Sequence, residues 1–161
     1  MPRTRCWLAL ASILLCVAAC GGDQAATASP TPPSPSASAS KSPIPGKVFN
    51  FKLNPADSSV TSSGTITVTA GPKTTSIELK ITGLQASSSH ISHVHLGSCT
   101  GRGGIAFALK QVVADGQGNA DTMTMLSTTY PPTNGKWYAV VHSGPDMQGT
   151  NSKYLLCGNL S

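Results

Sequence analysis

Ile77-Glu78-Leu79-Lys80-Ile81-Thr82 alternates apolar and polar side chains without a slip. Successive side chains of an extended strand point to opposite faces, so this segment buries one face and wets the other, as strands of antiparallel sheets do. The same rhythm continues outward. Toward the N-terminus, beyond a Gly71-Pro72-Lys73 turn, Gly64-Thr65-Ile66-Thr67-Val68-Thr69-Ala70 carries apolar residues at every second position, and Phe49, Phe51 and Leu53 alternate with Asn50, Lys52 and Asn54 before Pro55. Toward the C-terminus the pattern predicts strands near residues 105–114, 119–126, 136–142 and 153–160. The turn at 115–118 contains Asp-Gly and Gly-Asn steps, which suit the positive φ of a tight hairpin. Gly101-Arg102-Gly103-Gly104 reads as a loop, too rich in glycine for a strand. No window from Lys47 onward sustains the i, i+3, i+4, i+7 spacing of an amphipathic helix. About eight short strands in about 115 residues predict an all-β domain, a Greek-key β-sandwich in preference to a barrel.

The first 46 residues are not domain material. Arg3 and Arg5 precede an apolar run of 14 residues, 6–19, too short to cross a membrane as a stable helix. Residues 1–19 therefore read as an export signal. The run ends in Val17-Ala18-Ala19-Cys20-Gly21-Gly22, which resembles the lipobox of bacterial lipoproteins. That resemblance implies cleavage before Cys20 and attachment of diacylglycerol to its sulfur; an ordinary signal peptide with an incidental cysteine is the alternative. Residues 20–46 follow as a tether, with six prolines and six serines between Gly21 and Gly46 and nothing that builds a core. Extended at roughly 3.1 Å per residue, such a chain reaches up to about 80 Å from a bilayer. The expected location is outside the cytoplasm, lipid-anchored at the cell membrane, with the folded domain at residues 47–161.

The formal charge of +5 falls to +3 once Arg3 and Arg5 leave with the signal. The remaining Lys and Arg stand singly, with no basic run and no interleaved aromatics, which argues against a nucleic-acid partner. Asp57, Glu78, Asp115, Asp121 and Asp146 fall in turns or on wet strand faces, and no two are spaced as an acid/base pair. No Gly-x-Ser-x-Gly and no phosphate-cradling glycine loop occurs. Cys6 and Cys16 leave with the signal, and Cys20 is expected to be acylated, so Cys99 and Cys157 remain. Two cysteines in an exported domain most simply pair, two free thiols being the alternative.

The candidate chemistry concentrates in His90-Ile91-Ser92-His93-Val94-His95-Leu96-Gly97-Ser98-Cys99, which holds three of the four histidines. The fourth, His142, closes the apolar run Trp137-Tyr138-Ala139-Val140-Val141. In a strand His93 and His95 project from one face and Val94 from the other, a spacing suited to chelation by neutral imidazoles. His142 is the remaining candidate ligand on another strand. By the same alternation His90 faces away and is expected to pack or hydrogen-bond. An exposed polar strand end without metal is the plainer reading of the pair. Trp137 and Tyr138 read as core or edge aromatics.

The segment from His90 to Cys99 looks like the copper/zinc superoxide dismutase segment in which a His-Val-His pair binds copper. Gly135-Lys136-Trp137-Tyr138-Ala139-Val140-Val141-His142 is similar to that family's Gly-Arg-x-x-Val-Val-His strand, whose histidine is another copper ligand. Tyr154-Leu155-Leu156-Cys157-Gly158-Asn159-Leu160 resembles its terminal strand, which bears the second disulfide cysteine. Taken together, the three motifs imply copper on His93, His95 and His142 and a bridge between Cys99 and Cys157. Departures accompany them. Residues 100–121 contain no histidine, so the family's bridging histidine and zinc ligands have no counterpart and zinc is not expected. The family's catalytic arginine position is Tyr154, with Lys153 beside it, and Leu96 stands where that family has a glutamate. The glycine-rich loop and the Tyr-x-x-Val-His strand also resemble the chordin-type (CHRD) domain, a related β-sandwich of exported bacterial proteins. The expectation is an exported, copper-binding, dismutase-like lipoprotein whose turnover of superoxide is slow or absent, with catalytic residues unassigned. Copper buffering without turnover and a metal-free interaction module are the alternatives.

Overall fold

Ten strands carry the chain in the computed structural model, which describes residues 46–161. They are β1 Lys47–Pro55, β2 Ser63–Ala70, β3 Thr75–Thr82, β4 Ser89–His90, β5 Ser92–Gly97, β6 Arg102–Ala108, β7 Val112–Val113, β8 Ala120–Leu126, β9 Trp137–His142 and β10 Tyr154–Asn159. Among the described residues the one helical element is a single 3-10 turn, Gly149–Ser152. The expected signal, Cys20 and the tether up to residue 45 lie outside the described residues.

Eight strands form one antiparallel sheet in the order β6-β5-β9-β10-β1-β2-β3-β8. Its halves, β1-β2-β3-β8 and β10-β9-β5-β6, join where Asn54 pairs with Cys157 and Pro55 with Leu156. Across that short seam the sheet curls, and the halves close on a shared core. Leu53, Ile66, Val68, Ile77, Leu79 and Ile81 from the first half meet Val94, Ala139, Val141 and Leu156 from the second. The segment Ile77–Thr82 lies in β3, between β2 and β8, with its three apolar residues almost fully buried, as alternation predicts. The pairs β3–β8, β5–β9 and β10–β1 are not sequence neighbours, the crossover pattern of Greek-key connections.

Strand β9 departs from the one-face-wet rule, because all six of its residues are buried. Trp137, Ala139 and Val141 face the main core. Tyr138 and Val140 face the other way, into a second cluster with Cys157, against which Cys99 and Tyr154 pack. A strand covered on both sides reads as a continuous apolar run.

Three expectations need correction. The glycine stretch is not a loop: β6 begins at Arg102 and pairs with β5. Glycine serves close approach there, since a Cβ at Gly103 would collide with the carbonyl of Leu96. The strand expected over 105–114 is broken. Strand β6 ends at Ala108, and Val112–Val113 pairs instead with Ser89–His90 in a separate ribbon. A tight turn forms at 115–118, with the Asp115 carboxylate accepting the backbone N–H groups of Gln117 at 2.9 Å and Asn119 at 2.8 Å, but it does not close a hairpin, since β7 pairs with β4 and β8 with β3.

Cys99 and Cys157 are joined in a disulfide that spans a sequence separation of 58 and ties the turn after β5 to β10. Closing a loop of that length stabilises the native state by about 4 kcal/mol in the chain-entropy model. Replacing both cysteines by serine is expected to lower the unfolding free energy by up to about 4 kcal/mol in urea titration. A loss under about 1 kcal/mol would show that the link does not restrain the denatured chain.

Candidate metal centre

His93 and His95 project from the outer face of β5, opposite Val140 and Tyr138 of β9. His142 ends β9 on the same face, two residues beyond Val140. One ligand nitrogen from each of the three lies within 4.8 Å of the others. His142 is 1% exposed, His95 is 5% exposed and His93 is half-buried, so the cluster opens to solvent along His93.

Backbone carbonyls orient two of the rings. The Nδ1–H of His142 donates to the carbonyl of Ser152 at 2.8 Å, and the Nδ1–H of His95 donates to that of Gly103 at 3.1 Å. With the proton held on Nδ1, Nε2 of each neutral ring carries its lone pair toward the cluster. His95 Nε2 is buried with no hydrogen-bond partner. An orphaned buried acceptor costs about 1–3 kcal/mol, and a metal ion would relieve it. His93 Nδ1 stands 3.2 Å from His142 Nε2. Two imidazole nitrogens bound at about 2.0–2.1 Å to one tetrahedral ion lie about 3.3 Å apart, so this separation fits a shared ion. Three imidazoles of this kind suit copper, zinc or nickel.

Both His93 and His142 titrate below the ordinary 6.5. Burial is the main cause at each. At His93 the neighbouring imidazoles of His142 and His95 add to it, whereas at His142 the bond to Ser152 works against it. These two rings are therefore neutral and ready to ligate near neutral pH.

His90 takes no part in the cluster. It lies in β4, with Ile91 between it and β5, and it is buried. Its Nδ1–H donates to the backbone carbonyl of His142 at 2.9 Å, and its Nε2 meets Ser88 Oγ at 2.8 Å. It fixes the end of β9 that presents His142. His90 leaves the ligand face because the chain changes strand at Ile91, not through alternation along one strand.

Aromatic residues complete the surroundings. Strands β9 and β10 pair Tyr154 with His142 and then Leu156 with Val141, leaving Leu155 as an extra residue. This bulge reverses the phase of the strand. Leu155 and Leu156 both reach the main core, while Tyr154 turns to the outer face. Its ring centroid lies 5.4 Å from that of His142 and 5.8 Å from that of His95. Tyr138 packs on His95 at 5.1 Å, and the two phenol oxygens are 3.1 Å apart. Burial first, and then the bond to Tyr138, push the Tyr154 phenol up to about 12. Arg102, opposite Gly97 on β6, sets its guanidinium carbon 4.3 Å from the centroid of the Tyr154 ring. The sequence hid this cation, since it sits among the glycines read as a loop. Lys153, flagged beside Tyr154, is exposed, and Leu96 is 47% exposed.

Among solved structures, the crystal structure of a SOD-like protein from Bacillus subtilis matches with a TM-score of 0.53 at 14% identity, covering 70% of this chain and 97% of that one. No protein-family profile matches the chain, and no curated protein does. Such an identity carries the fold alone, a superoxide dismutase-like β-sandwich. On that fold this chain bears a three-imidazole cluster that can hold a metal ion.

A group whose folded pKa lies below its unfolded value destabilises the fold as pH falls through the unfolded value, because the unfolded chain binds protons first. His93 and His142 are such groups. The metal-free protein is therefore expected to lose thermal stability as pH drops below the ordinary 6.5, the loss levelling off once the folded rings protonate. Differential scanning calorimetry in chelator, comparing wild type with His142→Gln, checks this: the variant should show the shallower decline.

Proposed function

We propose that this chain is an exported, lipid-anchored copper protein with a superoxide dismutase-like domain, in which His93, His95 and His142 hold the ion and superoxide turnover is slow or absent. The observation that carries it is the lone pair of His95 Nε2, buried and unpartnered inside a group of three ligand-competent imidazoles. The Irving–Williams order ranks copper above nickel and zinc at such a set. The disulfide supports an oxidising compartment, in keeping with the export signal and with Cys20 as the lipidated residue. Copper held there supplies one-electron chemistry. The chain's own residues shape access to it: His93 lies on the open side, and Arg102 places a positive charge on the Tyr154 ring that packs against the cluster, which favours the approach of an anion such as superoxide.

Copper buffering without turnover is the second reading. It is favoured by the Tyr154 ring, which packs against His95 and His142. A metal-free CHRD-like module would leave the His95 nitrogen without a purpose.

Equilibrium dialysis of the exported chain is expected to show about one copper bound, with His142→Ala weakening affinity by at least about tenfold. No uptake, or an unchanged affinity, overturns the assignment. A superoxide assay on the same copper-loaded sample separates slow turnover from pure buffering. For the anchor, Cys20→Ser should move the protein from the membrane fraction to the soluble fraction of its host, and retention at the membrane would refute lipidation at Cys20.

A further inference from the structure

Two of the chain's three tyrosines stand against the three imidazoles. Tyr138 is fully buried, its ring tilted 31° to that of His95 at 5.1 Å. Tyr154 contacts both His142, ring to ring at 5.4 Å, and the Arg102 guanidinium at 4.3 Å, and the two tyrosine rings are 6.4 Å apart with their hydroxyls 3.1 Å from each other. Phenylalanine would fill both positions without bringing a hydroxyl that needs a partner. Phenols differ from it in being able to release an electron together with a proton.

We propose that Tyr138 and Tyr154 form a one-electron donor to the metal centre, drawing oxidising equivalents away from the ligand histidines when a peroxide meets the reduced site. The proposal rests on the copper assignment above. Cleaving the O–O bond of hydrogen peroxide takes two electrons: the reduced metal supplies one, and the O–H bond of Tyr154 supplies the other together with its proton. The products are the oxidised metal, one hydroxide, one water and a neutral phenoxyl radical on Tyr154.

The surroundings give the transfer a direction. The Arg102 guanidinium against the Tyr154 ring disfavours positive charge on that ring, so the electron leaves only with the proton. It also makes Tyr154 the poorer resting place for the radical. Passage of a hydrogen atom from the Tyr138 hydroxyl to the Tyr154 oxygen, across 3.1 Å, moves the radical onto the buried ring. Tyr130, the third tyrosine, lies in the main core with its O–H donated to the Leu160 carbonyl, and it serves as an internal control.

The test uses the full exported chain as wild type, Tyr138→Phe/Tyr154→Phe and Tyr130→Phe. Copper uptake is measured first by equilibrium dialysis. Each copper-loaded protein is then reduced with ascorbate, mixed with hydrogen peroxide and frozen for electron paramagnetic resonance, and its peptides are scanned by mass spectrometry for oxidised histidine. A tyrosyl radical is expected in wild type and Tyr130→Phe and not in the double variant. The double variant is expected to oxidise His93, His95 and His142 several-fold faster at equal copper occupancy. Copper uptake with no radical in wild type, a radical that survives the double substitution, or equal histidine oxidation overturns the donor alone. Failure of wild type to take up copper overturns the metal assignment and the donor with it. Should the double variant fold poorly, the single Tyr154→Phe change at a half-buried position supports the same comparison of histidine oxidation.

Discussion

Burial of β9 on both faces is the constraint on which the rest of the domain depends. One face, Trp137, Ala139 and Val141, closes the main core; the other, Tyr138, Val140 and His142, needs a cover of its own. A sheet face left to solvent would wet these side chains and hydrate the imidazoles. The cover comes from three sides. The side chains of β5 bring His93 and His95, β10 brings Cys157 and Tyr154, and the disulfide draws the Cys99 turn onto the same patch.

Local irregularity places the functional side chains. A regular β10 would put Tyr154 on the same face as Leu156, inside the main core; the extra residue at Leu155 sends it to the histidines instead. Strand β6 is equally irregular, with register shifts opposite His95 and Gly97. Those shifts set the Gly103 carbonyl on His95 Nδ1 and Arg102 on Tyr154. Gly103 is required for contact, since any side chain there would strike the Leu96 carbonyl.

The site is built for neutral rings. Carbonyls of Gly103 and Ser152 hold the Nδ1 protons of His95 and His142, and burial opposes protonation of His93 and His142. His93 Nδ1 faces the lone pair of His142 Nε2 at 3.2 Å while His95 Nε2 has no partner, an arrangement that becomes more favourable when a cation occupies the gap. His90 belongs to the same design at one remove, as it grips the backbone of His142 rather than the ion.

Alternation of apolar residues determined the all-β class and the identity of β1, β2 and β3, because a period of two in Phe49–Leu53, Gly64–Ala70 and Ile77–Thr82 has one physical meaning. The pairing of His93 with His95 was equally legible, since both must leave one face of a strand. His142 was visible as a candidate from its strand end, but its distance from the pair belongs to the long-range register of β5 with β9, to which no local pattern points. Tertiary structure alone decided the rest. Bulges are set by cross-strand hydrogen bonding, so Arg102 could not be assigned to the site from its own neighbours, and Tyr154 could be placed near it only through the resemblance of residues 154–160 to a dismutase's terminal strand. Glycine, which signals a turn when judged locally, stands inside a strand at Gly103 because the Leu96 backbone lies too close for a side chain. His90 was separated from its neighbours by a change of strand that the linear sequence does not announce.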